Sequence, residues 1–224
     1  MPNYFTAETF KFFQELKENN RKEWFDEHKQ IYDQHVYQAM KDFISLLSPA
    51  MHEIDPEFEL RPYKAVSRIY RDTRFSRNKM PYKECMWLVF QKPASRDDWT
   101  NIPSYYLEIN ADTVSYGMGL FRPLKKTMDV FREEISYMQT ELKEHIQKDV
   151  YDRGFSVNGE EYKRKIPNDL DEFFQPWIQR KGVYVSKQIP VTAQVLGPGF
   201  YKIIEDEFRA LEWLYKFMKE VTEL

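Results

Sequence analysis

Guanidinium and ammonium groups held on a stiff backbone are what proteins use to grip phosphate and carboxylate, the guanidinium through two parallel hydrogen bonds. Residues 64–83, KAVSRIYRDTRFSRNKMPYK, concentrate them: Lys64, Arg68, Arg71, Arg74, Arg77, Lys79 and Lys83, against a single acid, Asp72. Seven cations against one anion leave +6, in a chain whose formal net charge is −3, so the remainder is acidic by about nine charges. Tyr70, Phe75 and Tyr82 are interleaved with the cations. The pattern predicts a strand over 64–70, with Ala65, Ser67 and Ile69 on one face and Val66, Arg68 and Tyr70 on the other. Asp72-Thr73 and Ser76-Arg77-Asn78 are loop formers, since their side chains bond nearby backbone. Pro81 lacks an N–H and suits the start of a second strand. The expected site is a strand, a tight loop and a strand that present Arg68, Arg71, Asp72, Arg74, Lys79, Tyr82 and Lys83 to an anion. The structural alternative has Asp72 pair with Arg68, Arg71 or Arg74 to pin the loop, with the other cations solvated.

Other chemistries find less support. The four histidines, His28, His35, His52 and His145, form no i, i+4 pair and no cluster with the cysteine, so no metal site is expected. No glycine-rich phosphate loop and no nucleophile elbow is present, and no cofactor is expected. Cys85 is the single cysteine, which excludes an internal disulfide. No histidine lies near it in sequence, so it reads as a buried inert thiol before it reads as a nucleophile. Asp72, Glu84 and Glu108 with Lys83 supply the residue types of a Mg²⁺-dependent nuclease, but at a spacing that matches no signature. Acids at strand ends more often face solvent or pair with arginine.

The elements that must position these groups follow from periodicity. Phe5, Phe10, Phe13 and Leu16 recur at helical spacing between an N-cap at Thr6 and a stop at Asn19-Asn20. Residues 26–47 read as a long amphipathic helix, with a new segment starting at Ser48-Pro49. Residues 84–91, ECMWLVFQ, read as a strand buried on both faces. Residues 104–110 and 113–121 read as a hairpin turning at Asn110-Ala111-Asp112. Gly117 and Gly119 leave a bare patch on the second of these strands, over which a helix is expected to pack. A helix is predicted from Pro123 to about Lys148, another over 169–179, a strand over 182–187 and a final amphipathic helix over 200–221. Together these predict an α+β fold, one domain over 1–224, with long amphipathic helices on a mostly antiparallel sheet.

Composition bounds the partners. No run approaches the ~18 apolar residues of a membrane span. The first twenty residues lack the basic start and apolar run of a secretion signal. With these features and one cysteine, a cytoplasmic setting and no membrane partner are expected. A pI of about 5.9 argues against a protein that coats DNA. A basic stripe on an acidic body fits an anionic small molecule or a short nucleic acid.

The run Arg68-Ile69-Tyr70-Arg71-Asp72-Thr73-Arg74-Phe75-Ser76, then Lys79, then Pro81-Tyr82-Lys83, resembles the signature of the family named domain of unknown function 2461. Asn20-Arg21-Lys22-Glu23-Trp24-Phe25 resembles that family's early element, Tyr105-Tyr106-Leu107 and Gly117-Met118-Gly119 its hairpin, and Val183-Tyr184-Val185-Ser186 its late strand. Trp87 departs from the small residue expected after the Pro-Tyr-Lys run. The resemblance spans nearly the whole chain and implies a single α+β domain of a kind found in bacteria and some fungi. It implies no activity. Two functions therefore stand side by side: binding, with or without processing, of an anionic ligand, and non-catalytic docking of another protein through the aromatic surface. The nuclease is a third.

Overall fold

The computed structural model describes residues 4–74, 77–95 and 98–224. In chain order its helices and strands are α1 (Ala7–Glu18), α2 (Lys22–Ile31), α3 (Gln38–Ile54), α4 (Pro62–Ala65), β1 (Cys85–Phe90), β2 (Ser104–Asn110), β3 (Thr113–Leu120), α5 (Lys125–Tyr137), α6 (Gln139–His145), β4 (Ser156–Asn158), α7 (Gln175–Ile178), β5 (Val183–Pro190), α8 (Phe200–Ala210) and α9 (Glu212–Glu223). The strands form one antiparallel sheet in the order β1-β2-β3-β5-β4, which makes the fold α+β. The chain divides into two compact units. One takes Met1–Phe90, Tyr106–Ser115 and Gln188–Asp206; the other takes Gln91–Tyr105, Tyr116–Lys187 and Glu207–Leu224. Among the described residues no helix is long and apolar enough to cross a membrane.

The first unit is built on aromatic helix faces. Helix α1 starts after Thr6, whose N–H donates to Thr9 Oγ1 at 3.0 Å, and buries Phe10, Phe12, Phe13 and Leu16. Phe5 and Phe43 meet at 4.9 Å between ring centres, and Phe200 closes on Phe43 at 5.8 Å. The long helix predicted over 26–47 is instead α2, a π-helical turn (Tyr32–Tyr37) and α3. Helix α3 does not stop at Ser48 but runs through Pro49 to Ile54. The reason is burial: Ala50, Met51 and Ile54 lie in the core, and their transfer from water outweighs the one backbone hydrogen bond that proline omits.

Residues 64–70 are not a strand. Pro62 opens the short helix α4, where its fixed φ is an asset and its missing N–H is no loss. The chain then runs extended beside β1 with isolated bridges, Val66 to Leu88 and Tyr70 to Tyr82. Regular alternation fails because Val66 and Ile69, both buried, are three residues apart. The strand–loop–strand survives as a looser ladder: Ser67 N–H donates to Trp87 O, Lys83 N–H to Ile69 O and Arg71 N–H to Pro81 O, each at 2.8 Å. Strand β1 is as predicted in place but not in burial. Met86, Leu88 and Phe90 are buried, while Cys85, Trp87 and Val89 are half-exposed.

In the second unit, Tyr105 packs on Phe208 and Tyr215 at 5.0 and 5.4 Å. The bare patch at Gly117 and Gly119 is filled by strand β5, not by a helix. A Cβ on Gly117 would lie 1.9 Å from Val185 O, and one on Gly119 2.4 Å from Tyr184 Cα. The helix predicted from Pro123 to Lys148 bends at Met138 into α5 and α6, and the final helix bends at Leu211 into α8 and α9. The helix predicted over 169–179 shrinks to a 3₁₀ turn (Glu172–Phe174) and α7, because Pro176 fits only a first helical turn. Strand β4, which pairs with β5 from Ser156 opposite Ser186 to Asn158 opposite Tyr184, falls in a stretch read as a connection.

Candidate functional site

Period-two alternation puts Cys85 and Trp87 of β1, and Glu108 and Asn110 of the adjacent β2, on half-exposed faces. These residues line a cleft of about 590 Å³ in the first unit, a volume typical of small-molecule sites. Phe13 and Lys17, one helical turn apart on α1, line it as well, as do Arg71 and Lys83 of the basic segment and Glu84 just after it. Ala111 and Asp112 complete the lining. They sit in the predicted turn, which Asn110 shapes by accepting from the N–H groups of Asp112 and Thr113, both at 2.9 Å.

The basic segment divides by role. Arg71 lines the cleft and holds Tyr82 O only loosely, at 3.4 Å from Nε and 3.3 Å from Nη2. Lys83 lines it too; its ammonium donates to Arg68 O at 2.7 Å and lies 4.2 Å from the centre of the Trp87 ring. Burial lowers the Lys83 pKa, and the charges of Arg68 and Arg71 lower it further while Cys85 opposes them. Arg74 instead grips Asp72 with both arms, Nε at 3.0 Å and Nη2 at 2.7 Å, away from the cleft lining. That hydrogen bonding holds the Asp72 carboxyl down to about 2. Lys79 donates to Thr73 O at 2.8 Å and ties the loop across its base. Arg68 and Arg77 are exposed. Phe75 and Ser76, in the middle of the signature, lie outside the described residues.

Tyr82 is a core residue. Its ring is 3% exposed and stacks on Phe25 at 4.2 Å. Asn20 takes both polar groups of its backbone: Nδ2 donates to Tyr82 O and Tyr82 N–H donates to Oδ1, each at 3.1 Å. The two segments that resemble family signatures, 20–25 and 68–83, therefore meet in space. Sequence reasoning missed Lys17, Trp87 and Asp112 as cleft residues. Lys17 follows Phe13 at i+4 and was legible as its neighbour; Asp112 was legible only as a turn residue.

The acid side of the cleft has its own electrostatics. Burial raises the Glu108 pKa, opposed by a hydrogen bond from Cys85. Burial, then Glu108, push the Cys85 thiol up to about 12. A thiol so held stays protonated at neutral pH and is a poor nucleophile. Glu84, Glu108 and Lys83 share the cleft, but Asp72 is not among its lining residues. Among the described residues no three His, Cys, Asp or Glu side chains come together to hold a metal ion.

The fold and the cleft define an α+β protein with a mixed-charge cavity in its first unit. The family model described as "Conserved hypothetical protein (DUF2461)" matches residues 8–217, nearly the whole chain, and the chain belongs to that family. Comparison with curated proteins gives no match.

Proposed function

We propose that the cleft binds a small phosphorylated or otherwise anionic ligand, held by Arg71 and Lys83 with Lys17 opposite them in sequence origin. The observation that carries this reading is that three cations from two segments, Lys17 of α1 and Arg71 and Lys83 of the basic stretch, line one cavity and none of them is neutralised by a carboxylate among the described residues. Arg71 and Lys83 rest on carbonyls, which an anion readily outcompetes for a charged donor. Arg74, Asp72 and Lys79 shape the loop, Arg68 adds positive potential, and Tyr82 anchors the arm from below.

The reading is tested by thermal shift and calorimetry with orthophosphate, sugar phosphates, nucleotides and oligonucleotides. The expected result is saturable binding of a small anion that weakens as salt rises, is lost in Arg71→Ala and persists in Arg74→Ala. Equal loss in both variants would return the segment to a purely structural role. A second reading, docking of a protein partner, rests on Tyr63, Tyr70 and Met80, which stand 59%, 58% and 43% exposed in the same unit. It predicts silence across the anion panel, together with a co-purifying protein lost in Tyr70→Ala.

A further inference from the structure

We infer that the ligand of this cleft is a phosphorylated sugar, free or as the ribose phosphate of a nucleotide; the inference rests on the anion-binding reading above. The cavity is lined by Lys17, Arg71 and Lys83 and also by Glu84, Glu108 and Asp112. A bare phosphate has no use for three carboxyl groups and is repelled by those that are ionised. A ligand with one anionic end and several hydroxyls uses both sets. Phosphate takes the fork of Arg71 and the ammonium of Lys83, while hydroxyls donate to carboxylate oxygens, which accept at several lone-pair positions. Glu84 and Asp112 make no hydrogen bond or ion pair through their carboxyl groups with other described residues, which leaves those positions open.

The apolar part of the lining fits the same ligand. Trp87 is half-exposed on β1 and faces the cavity together with Phe13. An aromatic face accepts the C–H side of a sugar ring, whereas an inorganic anion gains nothing from it. The Lys83 ammonium lies over the Trp87 ring, 4.2 Å from its centre, so a phosphate on Lys83 sets the sugar against the part of the ring that the ammonium leaves uncovered. An α-amino acid is the competing ligand for a mixed-charge site. It offers one carboxylate to three cations and an ammonium to Glu84 or Asp112, but it has no ring to set against Trp87.

Isothermal calorimetry on the full chain with ribose phosphate, adenosine monophosphate, orthophosphate, ribose and glutamate tests this. Ribose phosphate is expected to bind at least about tenfold more tightly than orthophosphate, the gain of one hydrogen bond to a charged group. Ribose alone should not bind measurably. Glu84→Gln and Asp112→Asn should each reduce that preference towards unity, with melting temperatures confirming that both variants fold. Arg71→Ala should lose both phosphates. Tighter binding of adenosine monophosphate than of ribose phosphate assigns the sugar to a nucleotide; equal or weaker binding assigns it to a free sugar phosphate. Equal affinity for ribose phosphate and orthophosphate overturns the sugar assignment and keeps the anion cleft. Glutamate binding without ribose phosphate binding overturns it in favour of an amino acid, and silence from every phosphate overturns both readings.

Discussion

Two arginine-bearing regions of this chain bond backbone carbonyls, and they do so differently. In the second unit Arg132 is 12% exposed at its side chain and bonded through each of its three nitrogens: Nε donates to Ile178 O and Nη2 to Arg180 O, both at 2.8 Å, and Nη1 donates to Asp129 at 3.0 Å. Arg180 beside it donates to Gly159 O at 2.9 Å and pairs with Glu161 at 2.9 Å. In the first unit Arg71 reaches a single carbonyl at 3.3 to 3.4 Å and lines a cavity. Saturation at short distance marks an arginine that is part of the framework. Long contacts beside open space mark one held in reserve. Charge density in the sequence singles out only the second region, so it finds the reserve and misses the framework.

That contrast can be broken by mutation. The largest effect is expected from Arg132→Ala and Tyr82→Ala, each costing about 3 kcal/mol in chemical denaturation. The first orphans two carbonyls in a partly buried setting; the second empties a core site stacked on Phe25. Asn20→Ala should cost about 1–2 kcal/mol, since it strands the Tyr82 N–H and leaves Tyr82 O with only the long contacts from Arg71. Arg71→Ala should change stability by less than about 1 kcal/mol, because the bonds it loses are long. If it proves as damaging as Arg132→Ala, the distinction between the two regions fails. Arg74→Ala removes an exposed pair and should leave the melting temperature unchanged within error.

Titration offers a finer test of the cleft. The Glu108 pKa is raised in the folded protein, so wild-type stability falls as pH rises through the ordinary carboxylate range towards the raised value. Glu108→Gln should therefore raise the melting temperature slightly at neutral pH, with no difference once the pH is low enough to protonate this carboxyl in both folded and unfolded chains. Cys85, pushed up to about 12, should resist alkylation at neutral pH in the native protein. It should react at the rate of an ordinary thiol once the chain is unfolded, read by mass spectrometry of the labelled peptide.

Much of this fold was legible in the sequence because local pattern and tertiary demand agreed. Helix α1 and the hairpin of β2 and β3 carry periodicity and turn residues that admit one reading. Failures came where distant packing outweighed local preference. Pro49 is carried inside α3 by the burial that follows it, and Gly117 was bare for the sake of a strand far along the chain. The lining of the candidate cleft was legible in part: charge density leads to Arg71 and Lys83, which line it, and it also gathers Arg74, which bonds Asp72, and Tyr82, which is buried. Lys17, Trp87 and Asp112 join the cleft only through pairing and packing that no local window contains.

The double grip of Asn20 on the Tyr82 peptide has a dynamic corollary. A carbonyl oxygen has two lone pairs, and Asn20 occupies one of those on Tyr82 whatever Arg71 does. Arg71 can thus leave Tyr82 O without stranding an acceptor, which keeps the local cost of moving it small. The asparagine holds that backbone whether or not the arginine stays on it.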